Sequence, residues 1–555
     1  NHIELRAELE MAGYKFCSHT DTEVILHAYR EWGSDCLHRF NGMFAFLIYD
    51  NVAARIFAAR DRFGVKPLYY WKSPIGFVAF ASEIKQFTVL PGWQADLNGQ
   101  RAYDFLAWGL FDHTAETLFQ EVQQLCGGEY IECKLDDLRI GIRTIRWYVL
   151  EPRAFAGGTL GDAAGEFRDL LTDSVRLRLR ADVPVGSCLS GGLDSSSIVC
   201  LANNLLRRAN SHDRQKTFSA RAEAERYDES SFAEEVIKAT GVDGYFTLPA
   251  LNDLFAALPQ ITWHQDEPFG STSIYAQWRV FELAAANDVK VMLDGQGADE
   301  LLAGYHGFFG VRFASLLKTL RWVQLLRDVY ATRLRHGSST PPLTRYALNF
   351  LLPEWLRQPL RALAGRESTH NVPWLDVTAL AVSERDPHAA SGATTSVLRD
   401  LSIAQLTHTS LPMLLHWEDR DSMAHSIESR VPFLDYRLVE FALGLPDDFK
   451  LCEGVTKRVL REAMTGILPE KIRLRVDKLG FATPEEVWMR ERQPDLFRQA
   501  MNRAIEQSRS ILLPGAMNVL EETIAGRRPF SFLCWRMISF GAWMERFGIR
   551  CTAGP

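Results

Sequence analysis

Hydrophobic positions between residues 37 and 85 come in short runs of strand length. The runs 44–49 and 55–60 flank the turn-prone Asp50-Asn51, and 67–71 and 76–81 continue the texture. Apolar and aromatic residues grouped this way between turn residues predict a sheet of adjacent antiparallel strands. Ahead of it, Leu5 and Leu9 with Arg6 and Glu8 outside start a helical pattern at the first residues. The stretch 95–165 is mixed and broken by Gly127-Gly128 and Gly157-Gly158, which places a domain boundary there. Strand-like runs at 183–189, 216–220, 245–248 and 289–293 then alternate with helical ones at 195–208, 229–240 and 274–287. That alternation predicts a parallel, doubly wound α/β sheet. Beyond residue 300 the pattern is mostly helical, with no repeat of solenoid period.

Composition narrows the classes. The chain has 555 residues, 47% of them hydrophobic and 24% charged, with a net charge of −7. Those values suit two or three globular units and exclude a largely disordered chain or one with a basic, nucleic-acid-binding surface. No apolar run reaches the length needed to span a membrane. The nine cysteines are scattered and form no Cys-x-x-Cys, which argues against a disulfide framework or a zinc knuckle and makes a reducing cytoplasm the expected location. The sequence opens on Asn1-His2 and runs straight into a helical pattern, so it reads as the interior of something longer.

Two loops carry candidate chemistry. Leu189-Ser190-Gly191-Gly192-Leu193-Asp194-Ser195-Ser196 joins a predicted strand to a predicted helix. Paired glycines let the backbone turn tightly, the helix presents a positive end, and the serine hydroxyls add donors, so the loop suits an oxyanion. It lacks the Gly-Lys-Ser/Thr ending of a Walker loop, and a lysine-free cradle suits pyrophosphate held partly through a metal. Asp294-Gly295-Gln296-Gly297-Ala298-Asp299-Glu300 closes another predicted strand. Ligands of open α/β sheets collect beyond the carboxyl ends of strands, so both loops are expected to face one crevice, with Asp194 and Asp299 holding Mg²⁺ between nucleotide phosphates.

With these motifs the chain resembles the glutamine-hydrolysing asparagine synthetases over nearly its whole length. The first loop is similar to that family's pyrophosphate motif. So are Asp266-Glu267-Pro268-Phe269-Gly270, the 293–300 loop with Gly304-Tyr305, the run 423–435, and Asp477-Lys478-Leu479-Gly480-Phe481. Thr20-Asp21-Thr22-Glu23, Asn41-Gly42-Met43-Phe44 and the runs 59–70 and 81–85 resemble its class II glutamine amidotransferase domain. The resemblance implies a partial Ntn-type amidotransferase sandwich in 1–130, a linker in 131–165, and an ATP-pyrophosphatase domain with a helical end in 166–555. It further implies that glutamine-derived ammonia passes through an internal tunnel to an aspartate side chain adenylated by ATP and Mg²⁺. Asparagine, AMP and pyrophosphate would be the products, and a homodimer is the oligomer expected. Asp21 would bind the glutamine α-amino group. Leu189, Ser190, Gly191, Gly192, Asp194, Ser195, Ser196, Asp294 and Gly295 would bind ATP, and Lys478 would stabilise charge developing in adenylation.

Two departures stand out. The family's nucleophile is an amino-terminal Cys acting with its own amine, and by resemblance Asn1 falls about 75 residues after it; the chain is expected to be a fragment of such an enzyme, the alternative being one that lacks glutaminase chemistry. Cys17 and Cys36 carry no free amine and read as structural, so the chain as written is not expected to hydrolyse glutamine. Gln296 stands where many of these enzymes place an acid, and Gln cannot act as a base. It marks either a tolerated variation or an enzyme that amidates another carboxylate, such as a sugar acid, peptide or secondary metabolite. A β-lactam-synthetase-like ligase using an internal amine, an inactive regulatory paralogue and a tRNA-modifying enzyme are the remaining rivals. Residues 311–366 hold ten Arg or Lys against Asp328 and Glu354. That segment reads as a solvated helical insertion or a dock for an anionic partner, with Trp322, Leu325 and Leu326 as its buried face.

Overall fold

A computed structural model describes residues 1–139, 141–209, 215–337, 372–382, 386–393, 395–476 and 483–551. The chain has a mixed architecture, with antiparallel sheets in the amino-terminal half and a parallel sheet flanked by helices in the carboxy-terminal half.

The amino-terminal strands are β1 (Ala45–Asp50), β2 (Arg55–Arg60), β3 (Tyr69–Lys72), β4 (Val78–Ala81), β5 (Val122–Gln124), β6 (Glu129–Lys134) and β7 (Thr144–Arg146). They form two sheets, β1-β2-β6-β7 and β4-β3-β5, and not the single run of neighbours expected from the pattern. The reason lies between β2 and β3. The buried Asp61 carboxylate accepts N–H groups from Phe44, Phe63, Val65 and Lys66 at 2.9–3.2 Å. The Arg60 guanidinium donates to the carbonyls of Gly64, Lys66 and Leu125. This knot turns the chain away from β2, whose free edge β6 takes instead. The stretch 131–165, expected as a linker, therefore contributes most of β6 and all of β7. Helix α1 (Asp21–Trp32), capped by the Thr20 hydroxyl, buries Val24 and Ala28 in a core that also holds Phe57 and Leu37.

In the second half, β8 (Val185–Cys188), β9 (Lys216–Ala220), β10 (Asp243–Thr247), β11 (Val291–Leu293) and β12 (Glu428–Arg430) pair in parallel in the order β10-β9-β8-β11-β12. The connections from β8 and from β11 run outward in opposite directions, so the gap between these central neighbours is the switch point where such folds bind ligands. Helices α3 (Leu193–Arg208), α4 (Ser230–Thr240) and α5 (Ser273–Ala286) pack on the sheet, and α2 (Leu160–Arg178) packs against α3; α6 (Trp322–His336), α7 (Leu411–Ala424) and α8 (Arg458–Ala463) follow.

Buried charges clip the halves together. Asp266 accepts the N–H groups of Ile84 and Lys85 at 2.8 and 3.0 Å and pairs with the Lys85 ammonium and the Arg420 guanidinium, both at 3.3 Å. Glu267 accepts the Leu118 N–H at 2.6 Å. The Asp-Glu-Pro string recognised as a motif thus works as a domain clasp.

The basic stretch is described only as far as residue 337. There Arg312, 2% exposed, pairs with Asp328 at 3.0 Å and with Asp448. That pairing turns Asp328 inward and, at helical spacing, Leu325, Val329 and Thr332 with it. Trp322 and Leu326, expected inside with Leu325, lie 53% and 70% exposed at the solvent flank of that face.

Candidate active site

The loops after β8 and β11 open side by side into a cavity of about 500 Å³. Gly191 has φ +76°, and a Cβ there would lie 2.6 Å from that of Phe232, so only glycine satisfies both the turn and the packing. The serines brace the loop from within. Ser195 Oγ accepts the Ser190 N–H at 3.2 Å, and Ser190 Oγ accepts the Gly192 N–H at 3.3 Å. The first turn of α3 points its positive end here, and Ser196 Oγ, buried beside it, has no hydrogen-bond partner. Gly295 seats the second loop against the first: a Cβ on it would come within 3.2 Å of the Asp194 Cβ. Ser190, Gly192, Asp194, Ser195, Asp294, Gly295, Gln296 and Asp299 all line the cavity; Leu189, Gly191 and Ser196 sit behind its surface.

What the local motifs did not announce is the cation between the two aspartates. Lys457 Nζ lies 2.5 Å from an Asp194 oxygen and 2.7 Å from an Asp299 oxygen. The lysine enters in the left-handed conformation, φ +54°, just ahead of α8. Gly304 makes room for the pair, since a Cβ there would lie 1.9 Å from Asp299 Oδ1 and 2.5 Å from Lys457 Cε. Gly304, already part of a recognised motif, is the one sequence signal that pointed toward this packing. Arg461 and Arg475 also line the cavity. Burial lowers the Arg461 pKa to about 10, which leaves it charged at neutral pH. Arg475 donates to the Gly191 carbonyl at 3.0 Å, pairs with Glu229 and stacks over Phe232. The cradle is lysine-free in its own loop but not in the assembled site: three cations from residues 457–475 face it.

The two carboxylates share one cation, and Asp194 Oδ1 is buried without a hydrogen-bond partner. Hard anionic oxygens with one unsatisfied fit Mg²⁺.

At the other wall, Gln277 of α5 and Gln296 line the cavity. Both amide groups donate to the same oxygen of Glu418, a residue of α7 that is 2% exposed; the Gln296 bond is 3.4 Å. Ser429 of β12 meets the other Glu418 oxygen. Burial and the neighbouring Asp294 push the Glu418 pKa well up, and burial raises that of Asp294 too.

A second cavity of about 370 Å³ lies between the halves. Arg60, Tyr69 and Gln124 line it from the sheets, and Leu415, His416 and Asp419 from α7. Leu414 and Trp417, on the other side of the same helix, line the first cavity, so α7 is the partition between the two. Asp21 stands on the exposed first turn of α1 and lines neither cavity. Cys17 is exposed and Cys36 buried. Lys478 lies outside the described residues.

Comparison with known proteins follows these halves. The asparagine synthase family matches residues 166–545, and the glutamine amidotransferase domain family matches residues 1–148. The chain is 30% identical over 553 residues to asparagine synthetase [glutamine-hydrolyzing] 1 of Bacillus subtilis, covering 98% of this chain and 83% of that protein. It is 31% identical over 580 residues to a putative asparagine synthetase [glutamine-hydrolyzing] of Mycobacterium bovis, covering 99% of this chain and 83% of the relative. It is also 23% identical over 538 residues to amidase chry2 of Gibberella zeae, at 86% and 74% coverage.

Proposed function

The chain belongs to the glutamine-hydrolysing asparagine synthetase family, whose members are ATP-dependent amidotransferases, and on that premise we propose that it adenylates the side chain of aspartate and converts it to asparagine. The observation that carries the reading is the juxtaposition of the 190–196 loop, the 294–299 loop and three cations around one cavity at the switch point.

ATP enters with its triphosphate over the first loop. The α3 terminus and the side chains of Ser190 and Ser195 receive phosphate oxygens there. Lys457, Arg461 and Arg475 neutralise charge that grows on the departing pyrophosphate. Asp194 and Asp299 would hold Mg²⁺, which when bound supplies further positive charge to the phosphates. A carboxylate oxygen of the acceptor attacks the α-phosphorus, and the bond to the bridging pyrophosphate oxygen breaks. The resulting acyl-adenylate carries AMP, a far better leaving group than oxide. Lys478, by resemblance, would stabilise negative charge that develops in adenylation. Ammonia would arrive from the amidotransferase half (1–130) by way of the cavity on the far side of α7 into the synthetase half (166–555), with Asp21 binding glutamine.

The test is pyrophosphate release with ATP, Mg²⁺ and ammonium, with and without aspartate. Aspartate-dependent pyrophosphate with asparagine as product supports the reading. A folded, ATP-binding protein that stays silent with aspartate refutes the aspartate assignment and moves the search to sugar acids and peptides, the acceptors that Gln296 first suggested.

A further inference from the structure

Among the described residues, Glu418 is a buried acid with an unusual set of partners. Its carboxylate lies under the cavity wall and does not line it. One oxygen takes the amide N–H groups of both Gln277 and Gln296. The other meets the Ser429 hydroxyl. The titratable groups facing it are Asp294 at the end of β11, which hydrogen-bonds it, and Cys188 at the end of β8. An amide that points its NH₂ at a carboxylate must turn its carbonyl the other way. For Gln277 and Gln296 the other way is the cavity, because both line it. The arrangement holds whichever of Glu418 and Asp294 carries a proton, provided the oxygen facing the two amides remains an acceptor.

We propose that Glu418 is a positioning residue for the amine: it fixes Gln277 and Gln296 as a pair of carbonyl acceptors on the cavity wall, and these take the N–H groups of the incoming ammonia. The inference rests on the amide-forming reading above. Its chemical sense is in the lone pair. A wall of donors would bond to the ammonia lone pair and block it. A wall of acceptors binds the hydrogens and leaves the lone pair free to attack the acyl carbon. In that step the lone pair forms the C–N bond, and the bond from carbon to the AMP oxygen breaks with its electron pair leaving on AMP. The surplus proton on nitrogen passes to water in the cavity. An acid at position 296 would bring another carboxylate, beside Asp294, to within about hydrogen-bonding distance of Glu418; the amide avoids that added repulsion. The Gln296 departure and the buried Glu418 therefore belong together: loop amide and helix carboxylate form one unit.

The experiment compares wild type with Glu418→Gln, Gln296→Glu and the double variant Gln296→Glu/Glu418→Gln, which exchanges amide and carboxylate. Two steps are read separately: aspartate-dependent ATP–pyrophosphate exchange without amine, and asparagine formation as ammonium is varied. The expected result for Glu418→Gln is exchange within about twofold of wild type and a KM for ammonium raised about tenfold, the worth of roughly one oriented hydrogen bond. The double variant should recover most of that loss. A KM for ammonium that does not move, or a fall in exchange as large as the fall in amide formation, overturns the proposal. Wild type without aspartate-dependent exchange would refute the aspartate reading instead. In that case a crystal structure of the Glu418→Gln variant decides. Displaced Gln277 and Gln296 side chains support the positioning role, and unmoved ones overturn it.

Discussion

Lys457→Met removes the charge between Asp194 and Asp299 and keeps most of the side chain's stem. The lysine side chain is 4% exposed and each aspartate 15%, so little water is at hand to replace it. Taking one partner from a buried ion pair costs about 3–5 kcal/mol, and residual access of the carboxylates to solvent favours the low end, about 3 kcal/mol. Urea unfolding followed by tryptophan fluorescence reads this directly. With a slope of about 3 kcal/mol per molar urea, the midpoint falls by about 1 M. The two carboxylates then form a hard-oxygen pair without the ammonium between them. Mg²⁺ at about a hundred times its dissociation constant would return about 2.7 kcal/mol, nearly the whole loss. Wild type without nucleotide, its seat held by the ammonium, should gain much less from the same Mg²⁺. Pyrophosphate release should stay low in the variant even where stability recovers, because Met cannot neutralise the leaving group. A variant with the wild-type midpoint, or one that Mg²⁺ fails to rescue, would refute the idea that Lys457 occupies the cation seat.

Gly191→Ala forces a Cβ to 2.6 Å from Phe232 at φ +76°, and about 1–3 kcal/mol of strain should weaken ATP binding at least about fivefold by calorimetry; unchanged affinity would mean the loop is not the phosphate cradle. Asp266→Asn strips Lys85 and Arg420 of a buried counter-charge, so limited proteolysis should cut between the halves sooner, at a stability loss of about 3 kcal/mol; an unchanged digestion rate counts against the clasp. Burial raises the Glu485 pKa from its ordinary 4.5 to about 7. The native carboxyl keeps a proton that the unfolded chain releases. Its contribution to stability is complete below about pH 4.5 and is lost as pH climbs through about 7. Glu485→Gln cannot ionise, so its stability should fall less than that of wild type between pH 5 and pH 8, and parallel profiles would dispose of the assignment.

How much was legible from the chain differed by element. Four strands of the parallel sheet were read within a residue or two, because each strand of 183–293 is a short apolar run between turn signals; β12, a three-residue polar strand in the stretch read as helical, was missed. In the amino-terminal half the apolar pattern alone read as one sheet, whereas the resemblance implied the sandwich of two that is found. Strand pairing there is settled by the buried Asp61 and Arg60 turn, and nothing in the apolar pattern says that the next strand pairs elsewhere. The face of α6 was misjudged for a like reason. A buried Arg312–Asp328 pair outweighed the apolar surface of Trp322 and Leu326.

Local sequence by itself determined the phosphate loop, the Asp-Gly-x-Gly loop and their placement at strand ends, because each is a run of neighbours whose backbone chemistry needs no distant partner. Only the tertiary structure decided what those loops meet. Lys457 reaches Asp194 across 263 positions of chain, and Glu418 reaches Gln296 across 122. A lone lysine or glutamate far along the sequence carries no local mark of its partner, and it acquires one only when burial removes water and leaves a single opposite or complementary group within reach.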